Sequence, residues 1–132
     1  MPRTIDTRFF LTHFLADTDQ LKNKTSRKMV ELQRESAVVP TIVIHEIYKL
    51  ILDKLGKDVA QLRVNQILAS SFKIVELTTQ IALTSATLRH EYKALATTDS
   101  IIAATCMETK SKRVLSDDPH FREIREIRCE WL

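Results

Sequence analysis

A three-layer α/β/α sandwich around a short, mainly parallel central sheet of four or five strands is the fold this sequence predicts. Three observations point to it. Apolar runs of three to five residues alternate with longer stretches of helical periodicity, and parallel neighbours require crossover connections of this kind. The runs SAVVP, FKIVEL and RVL are apolar on successive residues, which suits strands covered on both faces. Acidic residues follow the first and the fourth run, and in such folds sites gather at the carboxyl ends of the strands.

Composition sets the outer bounds. With 132 residues, the chain predicts a single domain over 1–132 with a real core, and 44% hydrophobic with 28% charged residues is ordinary for a globular protein. Gly56 is the only glycine, so Gly-rich phosphate cradles are absent and nucleotide-binding motifs are excluded. Cys106 and Cys129 stand at no metal-like spacing and read as thiols in a reducing compartment. No leader-like pattern opens the chain, and no apolar run approaches the roughly 20 residues that cross a bilayer, so the expectation is a soluble cytoplasmic protein with no membrane partner. A net charge of +3 and a pI near 9.0 are compatible with a nucleic-acid partner and decide nothing alone.

Each element follows from local pattern. PRTID is a very short extended segment ending in Asp6, and TRFFLTHFL after it has helical spacing of Phe9, Phe10, Phe14 and Leu15. Asp6 therefore stands at a strand-to-helix junction, where helix capping alone could account for it. Residues 17–35 read as a basic surface helix with a thin stripe of Leu21, Met29, Val30 and Leu32, and SAVVP as a strand stopped by Pro40. Residues 41–55 form an apolar helix on which Glu46 shares a face with Ile42, Val43, Lys49 and Leu50, at the border of the buried side; an ion pair with Lys49 is the plain alternative. His45 and Glu46 begin an HExxH pattern, but Lys49 occupies the second histidine position, so a zinc protease is excluded.

Beyond Gly56, residues 58–69 predict a helix with Val59, Leu62, Ile67 and Leu68 in the core, followed by the third strand in FKIVEL. Residues 78–94 predict a helix ending in HEYK, with His90 and Tyr92 structural or exposed. A buried helix over 98–109, a strand over 113–115, a turn at DPHF anchored by Phe121 and a fifth short strand over 127–129 complete the chain.

Asp99 precedes the apolar run IIAATCM, and Asp117 and Asp118 follow Val114 and Leu115. Carboxylates at the ends of buried elements need a cation or hydrogen bonds to remain ionised. Hard oxygen ligands favour Mg²⁺ or Mn²⁺, and such a cluster suits in-line displacement at a phosphodiester.

The order Ile-Asp-Thr, IVIHEIYKLIL, TTDSIIAAT and LSDDPHF resembles the PIN domain family over essentially the whole chain, and more narrowly the toxin ribonucleases of the VapC type. The resemblance assigns the acids of the site to Asp6, Glu46, Asp99 and Asp118, as catalytic residues and metal ligands. Asp118 is preferred to Asp117 because the family's acid stands three residues before the Phe, here Phe121. Thr7 matches a supporting hydroxyl, and Asp117 assists or caps the turn. It further implies a Mg²⁺- or Mn²⁺-dependent endoribonuclease of a toxin–antitoxin pair, commonly a homodimer restrained by a cognate antitoxin. This chain departs from the family in a first strand that lacks the usual apolar run and in TRFF after the first acid.

Lys22, Lys24, Arg27, Lys28, Lys49, Lys110 and Lys112 are candidates for holding RNA phosphates. Exposed phenylalanines among Phe9, Phe10 and Phe14 could serve a dimer face or an antitoxin groove, with core packing accounting for at least two of them. The rival from another class is a PIN-fold module that binds RNA or protein with little nuclease activity. VELTT after the third strand lacks the acid of a phosphoacceptor domain, and Asp6-Thr7-Arg8 lacks the DxD of a dehalogenase-like phosphatase.

Overall fold

The computed structural model describes residues 2–132. The chain runs β1 (Thr4–Ile5), α1 (Thr7–Phe14), α2 (Asp19–Arg34), β2 (Val38–Pro40), α3 (Thr41–Leu55), α4 (Lys57–Leu68), β3 (Lys73–Val75), α5 (Thr79–Glu91), α6 (Thr97–Glu108), β4 (Arg113–Leu115), a 3₁₀ turn (Pro119–Glu123) and β5 (Arg128–Glu130). All five strands are parallel, in the order β3-β2-β1-β4-β5. The order in which the chain adds strands therefore reverses at β1: two crossovers step outward to β3, and the next returns across the sheet to β4. Right-handed crossovers in opposite directions put helices on both faces. The β1–β4 boundary is the switch point, where the carboxyl ends of adjacent strands open a crevice.

Local signals set the boundaries. Asp6 caps α1 by accepting from the Thr7 N–H, and Thr18 and Thr78 cap α2 and α5 through the N–H groups of Leu21 and Ile81. Pro40 closes β2 and leads directly into α3. Gly56, at φ +87°, adopts the left-handed conformation that lets α4 begin immediately after α3. The core includes the fully buried Phe9, Phe10, Ile47, Ile102, Leu115 and Phe121, with the Phe10 ring edge-on to Phe72 at 5.7 Å.

Phe9 and Phe10 are wholly buried, as core packing of at least two of the three phenylalanines requires, and Phe14 alone of the three is partly exposed. Several other expectations need correction. On α4 the buried stripe is Ala60, Val64 and Ile67, while Leu62 and Leu68 are about half exposed at 51% and 52%. The helix is thus rotated so that a stripe at i, i+4 and i+7 faces inward in place of the predicted one. The helix expected over 78–94 ends at Glu91, as Tyr92 leaves helical geometry and its hydroxyl donates to Glu126. Lys49 pairs with Asp53 and not with Glu46.

The shortness of β1 has a structural counterpart. Arg3 is buried, and its guanidinium meets Glu35 at 2.6 Å, Glu31 at 2.7 Å and Glu130 at 3.0 Å. Those contacts tie the entrance of β1 to the end of α2 and to β5, so ion pairs replace an apolar run as the strand's anchor.

Candidate metal centre

Four segments deliver acids to the crevice. Asp6 follows β1, Glu46 lies in the second turn of α3, Asp99 in the first turn of α6, and Asp118 follows β4. Parallel pairing of Ile5 with Leu115 brings the ends of β1 and β4 level, so Asp6 and the segment 116–118 become neighbours.

Hydrogen bonds hold two of the acids in place. The Ser116 hydroxyl donates to Asp6 Oδ2 at 2.5 Å, and the Thr7 N–H donates to Asp6 Oδ1 at 2.8 Å. The Thr7 hydroxyl donates to Glu46 Oε1 at 2.5 Å. Ser116 Oγ also accepts from the Asp118 N–H at 3.0 Å, so one buried serine touches the segments after both strands. At the mouth, one ligand atom each from Asp99, Asp118 and His120 lie within 4.8 Å of one another. Asp6 and Glu46 fall outside that grouping, but the charges of Asp99 and Glu46 act on Asp6 and those of Asp118 and Glu46 act on Asp99.

The charges are only partly balanced. Burial pushes Asp6 up to about 7, with Asp99 and Glu46 adding to the rise and the Ser116 hydrogen bond opposing it. Burial, then the charges of Asp118 and Glu46, push Asp99 up to about 6. Burial also raises Asp118, but the backbone N–H and ring of His120 outweigh it and hold this carboxyl below its ordinary value. One nearby cation is Arg8, whose guanidinium is engaged by Asp117. Asp117 thus serves the arginine, while Asp118 caps the 3₁₀ turn through the His120 N–H.

The donor set, carboxylate oxygens with one imidazole and a surplus of negative charge, fits a hard divalent cation. Between about pH 4 and 7 the folded, metal-free protein binds more protons at Asp6 and Asp99 than the unfolded chain does, so these two carboxyls lower its stability as pH rises through that window, while His13, pushed down to about 4 by burial, offsets part of the loss up to about pH 6.5. The expected loss is about 2–4 kcal/mol, read as several degrees in Tm between acidic and neutral buffer with EDTA, and Mg²⁺ or Mn²⁺ should restore it at neutral pH. A metal-free Tm that rises steadily from pH 5 to 7.5 would contradict the repulsion.

The sequence reading missed Ser116, His120 and Arg8. Ser116 had a visible signal, a hydroxyl directly between a strand end and the acid pair, and Asp118-Pro119-His120 has the side-chain-capped turn pattern that carries an imidazole back to the acid. Arg8 had none, because its pairing with Asp117 spans the whole chain. Of the basic candidates, Lys49 lines a groove of about 260 Å³ with Glu46 and Thr98 beside the acids. Lys110 and Lys112 precede β4 and so lie at the opposite, amino edge of the sheet.

The PIN domain family model matches residues 4–127. Among solved structures, VapBC2 from Rickettsia felis bound to a promoter DNA fragment superposes with a TM-score of 0.80 at 15% identity, covering 100% of this chain and 99% of that one. DNA-bound VapBC from Salmonella typhimurium gives 0.78 at 17% identity, covering 99% and 98%. VapC20 from Mycobacterium tuberculosis, a sarcin-ricin loop cleaving toxin, gives 0.74 at 14% identity, covering 91% and 92%. At such identities the likeness speaks for the fold. No curated protein matches the sequence.

Proposed function

The chain belongs to the PIN domain family, and from that premise we propose that it is a Mg²⁺- or Mn²⁺-dependent endoribonuclease, working as a single domain and as the toxin of a type II toxin–antitoxin pair. The observation that carries the reading is the convergence of Asp6, Glu46, Asp99 and Asp118 from four separate segments on the carboxyl edge, two of them with raised pKa values. These four residues would hold the ion, which when bound activates water and offsets charge at the phosphoryl group. Ser116 fixes the Asp6 carboxylate and Thr7 fixes Glu46 through Oε1, leaving Glu46 Oε2 to orient the attacking water and accept its proton. Lys49 and Arg8 flank the acids and would hold RNA phosphates.

The toxin reading draws support from the folds it resembles, among them a toxin–antitoxin complex from Klebsiella pneumoniae and a sarcin-ricin loop cleaving toxin. A groove of about 530 Å³ lined by Phe14, Met29, Arg63 and Ile67 offers an antitoxin segment an apolar floor with a cationic rim. Half-exposed Leu52, Leu55 and Leu62 on α3 and α4 suit a homodimer face, which sedimentation showing only monomer at micromolar concentration would remove. No helix among the described residues is long and apolar enough to cross a membrane. Cys106 and Cys129 are both free thiols, which supports a reducing cytoplasmic setting.

The test is incubation of the protein with structured and single-stranded RNAs in Mg²⁺ or Mn²⁺, followed by analysis of the new ends. Water-driven cleavage leaves a phosphate monoester on one side of the cut and a hydroxyl on the other. A 2′,3′-cyclic phosphate would mean attack by the RNA's own hydroxyl and would overturn the mechanism. With two phosphate contacts, RNA affinity should fall roughly sevenfold between about 50 and 200 mM salt. A flat salt response would remove Lys49 and Arg8 from RNA binding.

A further inference from the structure

His120 stands at the mouth of the acid cluster, and the mechanism gives it no task. It sits in the 3₁₀ turn immediately after Pro119, and the turn is capped by Asp118 itself. Asp118 Oδ1 accepts from the His120 backbone N–H at 2.9 Å and lies 2.8 Å from the ring Nδ1. The imidazole is therefore held against a carboxylate by its own backbone, with Pro119 restricting the intervening φ. Its ligand atom falls inside the same 4.8 Å grouping as those of Asp99 and Asp118.

We infer that His120 supplies a nitrogen ligand to the metal centre and thereby tilts its selectivity from Mg²⁺ toward Mn²⁺. The inference rests on the metal-dependent reading above. A 2.8 Å approach of Nδ1 to a carboxylate oxygen is bridged by a proton, and a divalent cation can take the place of that proton between the two lone pairs. Mg²⁺ holds its waters tightly and takes oxygen ligands, whereas first-row transition ions accept imidazole. An outer role, in which His120 only orients Asp118, has a different signature: it would place no nitrogen on the ion and would weaken both metals alike.

The experiment is pulsed electron paramagnetic resonance on chelator-treated protein loaded with Mn²⁺, alongside titrations of Mn²⁺ and of competing Mg²⁺, for the wild type, His120→Asn, His120→Gln and Asp99→Asn. The expected result is spin-echo modulation from a directly bound nitrogen in the wild type, which changes on isotopic labelling of histidine and disappears in both His120 variants. Mn²⁺ affinity should fall about tenfold in those variants, and Mg²⁺ affinity by less than about twofold. Mn²⁺ bound in an Asp99-dependent way without nitrogen modulation, or an equal loss for both metals, overturns the inference and leaves the metal centre standing. Failure of the wild type to bind Mn²⁺, or unchanged binding in Asp99→Asn, overturns both. The isotope comparison needs no variant, so it stands even if the substitutions disturb the turn.

Discussion

Asp99→Asn is expected to lower RNA cleavage by roughly 10³-fold while raising the thermal stability of the metal-free protein. Both effects have one cause. Asp99 is half-buried at the start of α6, facing Asp118 and Glu46, and its carboxyl is pushed up to about 6 because ionising it there is costly. An amide of the same shape removes the charge and keeps the packing, so the apo fold should gain stability at neutral pH. The same charge is what a cation would be held by, and losing a ligand should forfeit the several kcal/mol of transition-state stabilisation that a metal provides. Opposite signs for activity and stability distinguish a functional carboxylate from a structural one. If Asp99→Asn both melted earlier and cut normally, Asp99 would be a structural residue and the site would lie elsewhere.

Arg3→Met should destabilise the fold by about 3 kcal/mol, roughly 10 °C in Tm, with metal affinity unchanged. Burial opposes the charge of Arg3, but its carboxylate partners outweigh that cost, and its pKa is raised. Its removal strands Glu35, whose carboxyl, though raised by burial, is held below its ordinary value by that guanidinium, beside Glu31 and Glu130. Glu31 is half exposed and can turn to water, which keeps the expected loss at the low end for a broken buried pair. The pH signature has a definite sign: Glu31 and Glu35 carry lowered pKa values, so their contribution is present at neutral pH and lost as pH falls through the acidic range. The gap between Arg3→Met and wild type should therefore narrow in acid. Equal melting of the two proteins at pH 7 would show that the network contributes no net stability.

How much of this was legible in the sequence follows from the range of the interactions. The strands and helices were readable because their signals are local: Asp6 before α1, Pro40 before α3, Gly56 between α3 and α4, and short apolar runs with helical stretches between them. The acids could be nominated because the order of motifs resembles the PIN domain and because charges at the ends of buried elements require an explanation. What sequence could not supply was contact between distant segments. Arg3 finds Glu130, Arg8 finds Asp117 and Ser116 finds Asp6, each across more than a hundred residues, and no periodicity reports such pairs. The face of α4 was misjudged for a related reason. Leu62 and Leu68 outrank Ala60 in hydrophobicity, but the tertiary arrangement buries the face of Ala60, Val64 and Ile67, and no local pattern reports that choice.

The most direct test of the central claim is RNA cleavage by wild type and Asp99→Asn purified side by side, each treated with EDTA and then resupplied with Mg²⁺ or Mn²⁺. Cleavage that is absent in EDTA, returns with metal in the wild type and stays at least about a hundredfold lower in Asp99→Asn is the predicted result. Cleavage that persists in EDTA, or that the two proteins share equally, would contradict a metal-dependent nuclease built on these four acids.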